Sequence, residues 1–283
     1  MPQDLAHQEI EESLPPQPAV GSGDFRQLHQ EPLELDRVYK VVVGIPLKGH
    51  THPAAYHDRM LLFKYLGHRE EDDFHRKVSP RYSFSLNCTG EILVPYARDL
   101  MARQVIAQGA DYLFMIDDDM LAPPDLFFRL VENDKDICAA LAFTRNPDHK
   151  PVIYDAIEGH DSLTGQSYYR TKFAMNYPRD SLVECDAVGF GAVLIKRRVI
   201  EALASKDEAL FMGLLGTGED ITFCIKARKL GFSVWMDTRL KLGHLGEPKI
   251  ITEDYADGWM KMSLEEREKY YGRYSRFPTM DLS

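Results

Sequence analysis

The chain has 283 residues and a formal net charge of −10 at pH 7 with histidine neutral. That length suits one large α/β domain with ends, or two small domains, and the acidic balance argues against a general nucleic-acid or anionic-membrane surface, leaving room only for a local basic groove. No stretch approaches the run of about 18 apolar residues that a membrane-spanning helix needs, and the N-terminus is polar rather than signal-like, so a cytoplasmic protein is expected.

The four cysteines, Cys88, Cys138, Cys185 and Cys224, form no Cys-x-x-Cys pair and sit mostly in apolar segments, as reduced core thiols would. Residues 1–36 carry Gln, Glu, Pro and a Gly-Ser-Gly with few large apolar side chains, and read as a flexible or loosely docked arm. A domain over 37–246 and a charged, Tyr-rich tail over 247–283 complete the expected organisation.

Order begins with Val38 to Ile45, a buried strand stopping at Pro46. From Pro53 to Leu66, Met60, Leu61, Lys64 and Tyr65 recur with helical spacing, and Gly67 closes the segment. Arg69 to Lys77 reads as charged surface. Tyr82 to Leu86 alternates with period two as a half-buried strand does, and Leu93, Ala97, Leu100 or Met101, and Val105 mark a helix ended by Gly109.

The run Tyr112-Leu-Phe-Met-Ile116 then ends abruptly in Asp117-Asp118-Asp119, and Pro123-Pro124 forbids continuing a strand while allowing a helix from near Asp125 to Asn133. A buried strand that delivers carboxylates at its carboxyl end places them where open α/β sheets bind ligands. Adjacent carboxylates resist burial unless a cation compensates them, and a hard divalent ion is the natural partner. The plain alternative is a solvated acidic turn capping the next helix.

Ile137 to Phe143 is another strand. Thr144 to Arg179, rich in Pro, Tyr, Gly, Asp and His, reads as hairpins or a mobile loop over one sheet edge, with strand-like pieces at Pro151 to Tyr154 and Ser167 to Arg170. Leu182 to Val188 and Ala192 to Lys196 are strands around Gly189-Phe190-Gly191, followed by a helix from Arg198 to Ala204. Glu219 to Leu230 is a helix with Glu219 and Asp220 in its first turn, an arrangement that the helix macrodipole favours by itself. Gly216 and Gly218 before it suggest close approach of a ligand or of another backbone segment. Strands Val234 to Asp237 and Leu240 to Gly243 lead to His244, and Ser263 with Glu266 forms a capping-box pattern opening a helix to Tyr271. Alternating strands and helices imply an α/β fold with a mixed, mostly parallel sheet. His50, His52 and His57 form a competing zinc pattern without a cysteine or carboxylate at compact spacing.

Three pieces together carry a resemblance. Asp117-Asp118-Asp119 looks like the Asp-x-Asp motif of nucleotide-sugar glycosyltransferases with the GT-A (Rossmann-like) fold. The phrase Gly216-Thr-Gly-Glu-Asp-Ile-Thr-Phe-Cys-Ile-Lys-Ala-Arg-Lys-Leu-Gly-Phe232 resembles their Glu-Asp helix, and His244 in Leu-Gly-His-Leu-Gly resembles their metal histidine. The likeness spans about residues 38–246 in the family's order and is strongest to the family 2 group and its phage and bacterial relatives.

The resemblance implies Asp119 and His244 as metal ligands. Asp117 would contact the ribose or nucleotide and reach the metal through water, beside Asp118. Gly44-Ile45-Pro46 and Arg98 would border the nucleotide, and Arg145, Gly189 and Gly191 the donor sugar and acceptor. Many relatives have Asn after that arginine, where this chain has Asp99. Asp220 would be the base and Glu219 its orienting partner, or the reverse. Mn²⁺ or Mg²⁺ would be the metal and a nucleoside-diphosphate sugar the donor. The acceptor would be a hydroxyl of a glycan, a small molecule or a modified nucleic acid. A metal-dependent nucleotidyltransferase and a silent nucleotide-sugar-binding module are the rival classes.

Overall fold

The computed structural model describes residues 37–47, 52–76, 81–90, 92–160, 167–206, 209–212, 214, 216–246, 249–263 and 265–266. The arm over 1–36, His50 of the histidine pattern and the segment beyond Glu266 lie outside them. In chain order the elements are β1 (Val38–Pro46), α1 (Pro53–Arg76), β2 (Arg81–Thr89), α2 (Val94–Gln108), β3 (Tyr112–Ile116) and β4 (Met120–Leu121). They continue with α3 (Leu126–Glu132), β5 (Ile137–Leu141), β6 (Ile153–His160), β7 (Ser167–Phe173), β8 (Leu182–Cys185), β9 (Ala187–Val188) and β10 (Ala192–Lys196). The last are α4 (Arg197–Ala204), α5 (Glu219–Lys229), β11 (Val234–Lys241), β12 (Gly243–Gly246), β13 (Lys249–Ile251) and α6 (Glu253–Lys261).

The central sheet has seven strands in the order β2-β1-β3-β10-β5-β11-β8. Strand β1 pairs parallel with β2 and β3, and β5 parallel with β11, whereas β10 and β8 run against their neighbours. The result is the mixed, mostly parallel α/β sheet that the alternation of elements implied. Strands β3 and β5 are apolar at every position because both faces are covered. In β3, Leu113 and Met115 join the core on the side of α2, α4 and α5, whereas Tyr112, Phe114 and Ile116 join the core beneath α1 and α3. At Gly44 a Cβ would stand 2.7 Å from Met101 Sδ, so this glycine lets α2 close on β1.

Two small sheets are added to this frame. Strands β6 and β7 form an antiparallel hairpin whose first strand also pairs with β9, which realises the hairpin expected after Thr144. Strands β13, β12 and β4 form the other, in which Lys249–Ile251 pairs with β12.

Several sequence readings are corrected. Helix α1 runs through Gly67 to Arg76, and its buried residues are Ala55, Arg59, Leu62, Leu66 and Asp73, while Met60 and Leu61 are exposed. Gly67 faces open space, and its cost of about 1 kcal/mol in a helix interior is too small to end one anchored on both sides. Strand β5 stops at Leu141 and Phe143 holds only an isolated bridge to Pro151. The stretch Leu182 to Val188 is split into β8 and β9 at Asp186, whose carboxylate takes the Ala156 N–H at 2.9 Å and pairs with Arg228. Helix α6 lies in the stretch expected as a charged, Tyr-rich tail, ahead of the helix expected from Ser263. Thr252 caps α6 by accepting the Tyr255 N–H at 3.2 Å, and Ala256 and Trp259 are buried. The Ser263–Glu266 capping box forms, Ser263 N–H donating to Glu266 Oε2 at 2.8 Å and Glu266 N–H to Ser263 Oγ at 3.2 Å. None of the four cysteines is in a disulfide, and among the described residues no helix is long and apolar enough to cross a membrane.

Candidate active site

The carboxyl ends of β3, β5 and β11 open on one edge of the sheet, and β10, running the other way, begins there. Into this edge the chain delivers Asp117 after β3, Arg145 after β5, His244 after β11, and Gly189 to Gly191 before β10. A cavity of about 250 Å³ lies between them, with Asp117, Arg145, Gly189, Gly191, Asp220 and His244 on its wall. That volume is at the small end for ligand sites, so it would enclose only part of a nucleotide sugar.

The acidic turn is held from two directions. Met120 N–H donates to Asp117 O at 3.2 Å, and Asp117 N–H to Gly191 O at 2.9 Å. From α1, the buried Arg59 donates through Nη2 to the carbonyls of Asp117 at 2.9 Å and Met120 at 2.8 Å, while both Asp58 oxygens take the Ala122 N–H at 3.2 and 3.1 Å. The sequence reading missed this pair. Periodicity treats a charged residue as outward-facing, and no motif marks an arginine that serves carbonyls.

On the other side, Arg98 of α2 is 3 % exposed and reaches both carboxylate oxygens of Asp117 through Nη2, at 2.8 and 3.0 Å. Its Nη1 lies 3.1 Å from Glu219 Oε1, and the guanidinium sits 5.5 Å from the Phe190 ring centre. Phe190 packs with Phe211 and Phe223, the latter two stacked at 4.6 Å, and these rings fix the start of α5 beneath Arg98. Asp99, the departure from the family pattern, takes the Leu210 N–H at 3.0 Å and the Arg103 Nε–H at 2.7 Å, so it anchors the segment before α5.

Burial pushes the Asp117 carboxyl up to about 6, against the pull of Arg98 and with nearby Asp119 and Asp220 adding to the rise. Burial likewise raises Asp220, partly offset by Arg98, and its Oδ1 accepts the Ile221 N–H at 2.8 Å. Of the α5 acids, Asp220 borders the cavity, while Glu219 is turned to Arg98.

Asp119 and His244 meet through pairing that no local pattern encodes. His244 stands opposite Met120 in the β4–β12 ladder, and Leu245 N–H donates to Asp119 O at 2.9 Å. His244 Nδ1 lies 2.6 Å from Phe143 O, which can only accept, so Nδ1 carries the proton of that bond. In the neutral ring, Nε2 then presents a lone pair, and it faces Asp119 Oδ2 at 3.4 Å. Arg145 Nη1 is 3.2 Å from the same oxygen. Burial raises the Asp119 carboxyl, but a charged His244 ring, donating from Nε2, and the Arg145 guanidinium outweigh it and hold the group below the usual range.

An imidazole nitrogen and a carboxylate oxygen converge here, with the far ring nitrogen bonded to a carbonyl, and both are groups of the kind that could ligate a divalent metal. Asp117 is engaged by Arg98, and among the described residues no group of three His, Cys, Asp or Glu side chains could hold a metal ion. The pair therefore suits an ion that takes its remaining ligands from a bound phosphate and water.

Pro46 ends β1 beside Thr89 and, like Asp118, is not on the cavity wall. At Gly189 and Gly191 a Cβ would meet Val152 at 2.7 Å and Met120 at 3.0 Å, so both glycines serve close packing of the protein itself. The same holds at Gly216, φ +83°, where a Cβ would stand 2.8 Å from the Tyr169 carbonyl. His52 and His57 are exposed, and His52 Nδ1 accepts the Ala54 N–H at 3.1 Å.

No protein-family model and no curated protein matches the sequence. Among solved structures, the chain is similar to A197 from STIV with a TM-score of 0.45 at 15% identity, covering 77% of this chain and 91% of that one. GalNAc-T7 with UDP, GalNAc and Mn²⁺ matches with a TM-score of 0.43 at 14% identity, over 79% of this chain and 47% of that chain, so this chain spans about half its length. UTP-bound UGPase from Acinetobacter baumannii matches with a TM-score of 0.39 at 9% identity, over 85% and 100%.

Proposed function

We propose that the protein is a metal-dependent glycosyltransferase that moves a sugar from a nucleoside-diphosphate sugar to an acceptor hydroxyl. One observation carries this reading: the Nε2 of His244 and the Oδ2 of Asp119 converge at 3.4 Å on the edge of a cavity whose wall holds Asp220. Asp119 and His244 would hold Mn²⁺ or Mg²⁺. The ion would act as a Lewis acid on the diphosphate leaving group.

The protein's own groups account for the rest. The acceptor oxygen forms its bond to the anomeric carbon as the bond from that carbon to the diphosphate breaks. A hydroxyl is a poor nucleophile unless its proton is taken as attack proceeds, and of the two carboxylates on the cavity wall Asp117 is held by Arg98, so the proton goes to Asp220. Burial raises the basicity of Asp220, which suits the task. Glu219, tied to Arg98, positions rather than reacts. Arg145 and Arg98 add positive charge near the departing diphosphate.

A nucleotidyltransferase would use the same strand-end acid, but its nucleophile is a phosphate already ionised, which needs no base. Asp220 on the cavity wall therefore favours glycosyl transfer. The discriminating experiment is a screen of nucleoside diphosphates by thermal shift, with and without Mn²⁺, followed by incubation with the matching sugar donor or triphosphate. The expected result is stabilisation that requires metal and base together, of about 3 kcal/mol at a hundredfold excess over Kd, with consumption of the sugar donor. Consumption of the triphosphate instead, or no shift with any diphosphate, would overturn the assignment.

A further inference from the structure

Arg145 differs from the other arginines of the site in freedom. Arg59 is fixed by two carbonyls and Arg98 by two carboxylates, and both are buried. The Arg145 side chain is 47 % exposed and, among the described residues, makes one ion pair, with Asp119 Oδ2. Its neighbour Thr144, by contrast, is well anchored. Thr144 N–H donates to Lys150 O at 2.9 Å, Lys150 N–H to Thr144 Oγ1 at 3.0 Å, and His149 Nδ1 bonds Thr144 O at 3.0 Å. The His149 ring then packs edge-on against Tyr255 and Trp259 of α6, at 5.1 and 5.2 Å. A firm hinge thus carries a long, loosely held cation.

The oxygen that Arg145 contacts is the one that faces His244 Nε2. A guanidinium and a divalent ion cannot both lie against that oxygen without placing like charges at contact distance. Resting on the metal-site reading above, we infer that Arg145 is a displaceable stand-in for the metal: it covers Asp119 Oδ2 while no ion is bound, and swings to the diphosphate when ion and diphosphate arrive together. Metal alone must evict the guanidinium into solvent, whereas metal with diphosphate offers its planar fork two phosphate oxygens. The two ligands are thereby coupled through one side chain, and idle occupation of the site by free metal is disfavoured.

The test uses the full chain, with Mn²⁺ and inorganic pyrophosphate as probes and protein-bound Mn²⁺ measured by equilibrium dialysis. Arg145→Gln should bind Mn²⁺ alone about fivefold more tightly than the unaltered chain, the scale of one partly exposed ion pair. In the same variant, the gain in Mn²⁺ affinity on adding pyrophosphate should shrink by a similar factor. Lys150→Gln, which removes a charge from the same loop, should leave both quantities unchanged. Unaltered or weaker Mn²⁺ binding by Arg145→Gln overturns the inference, and so does equal tightening by Lys150→Gln, which would make the effect a general field. Failure of the metal site itself reads differently: Asp119→Asn would then bind Mn²⁺ as the unaltered chain does, with pyrophosphate or without it.

Discussion

Arg98 grips Asp117 through a single nitrogen, Nη2, which lies 2.8 and 3.0 Å from the two carboxylate oxygens in a pocket where the arginine is almost wholly buried. The pair joins the end of β3 to the start of α5, because the same guanidinium also reaches Glu219. Removing one partner of a buried ion pair costs more than the pair is worth, since the other charge is left unsolvated.

Arg98→Met is therefore expected to destabilise the fold by about 3 kcal/mol, read as a lower urea midpoint. Adding Asp117→Asn in that background should recover part of the loss, because it removes the orphaned charge. A single variant as stable as the unaltered chain would show that the pair does not hold the two elements together.

In the proposed reaction, Asp220 would set the pH profile of transfer. A base works only when deprotonated, and burial raises this carboxyl above the ordinary aspartate value. Activity should therefore fall as pH drops through a value above that of an ordinary aspartate, with full activity on the alkaline side of that limb. Asp220→Asn should lose about a hundredfold or more in rate while diphosphate affinity stays within a fewfold. An acidic limb that survives in the variant would assign the proton transfer elsewhere.

The sequence made the frame legible where information is local. Strand β3 carries five apolar residues in a row and ends where the first aspartate begins. Helix α2 stops where Gly109 takes φ 61°, as the glycine signalled. Helix α1 was misjudged in length and face because Arg59 and Asp73 are polar residues turned inward, which no hydrophobic count predicts. Helix α6 left a usable signal that went unread: Thr252 before Glu253 and Asp254, Ala256 and Trp259 three apart, and Lys261 at the end.

The site divides along the same line. Glu219 and Asp220 were readable because a helix start is local, and their different orientations were not, because Arg98 decides them. The approach of His244 to Asp119 depends on β4, two residues between an acidic turn and a Pro-Pro pair, which pairs with β12 at Gly243 and His244. Such a short strand has no periodicity, so only the resemblance linked the two residues. Arg59 and Asp58, which hold the acidic turn from behind, left no pattern at all.

The proposed reaction depends on one cation that Asp119 and His244 would hold. The most direct measurement is the Mn²⁺ dissociation constant, in the presence of the diphosphate that the thermal-shift screen selects, for the unaltered chain, Asp119→Asn and His244→Ala. The expectation is one bound ion whose affinity falls about tenfold to a hundredfold or more in each variant, with the folded structure retained by circular dichroism. Undiminished Mn²⁺ affinity in a folded His244→Ala protein would contradict the metal site, and the proposed transferase mechanism with it.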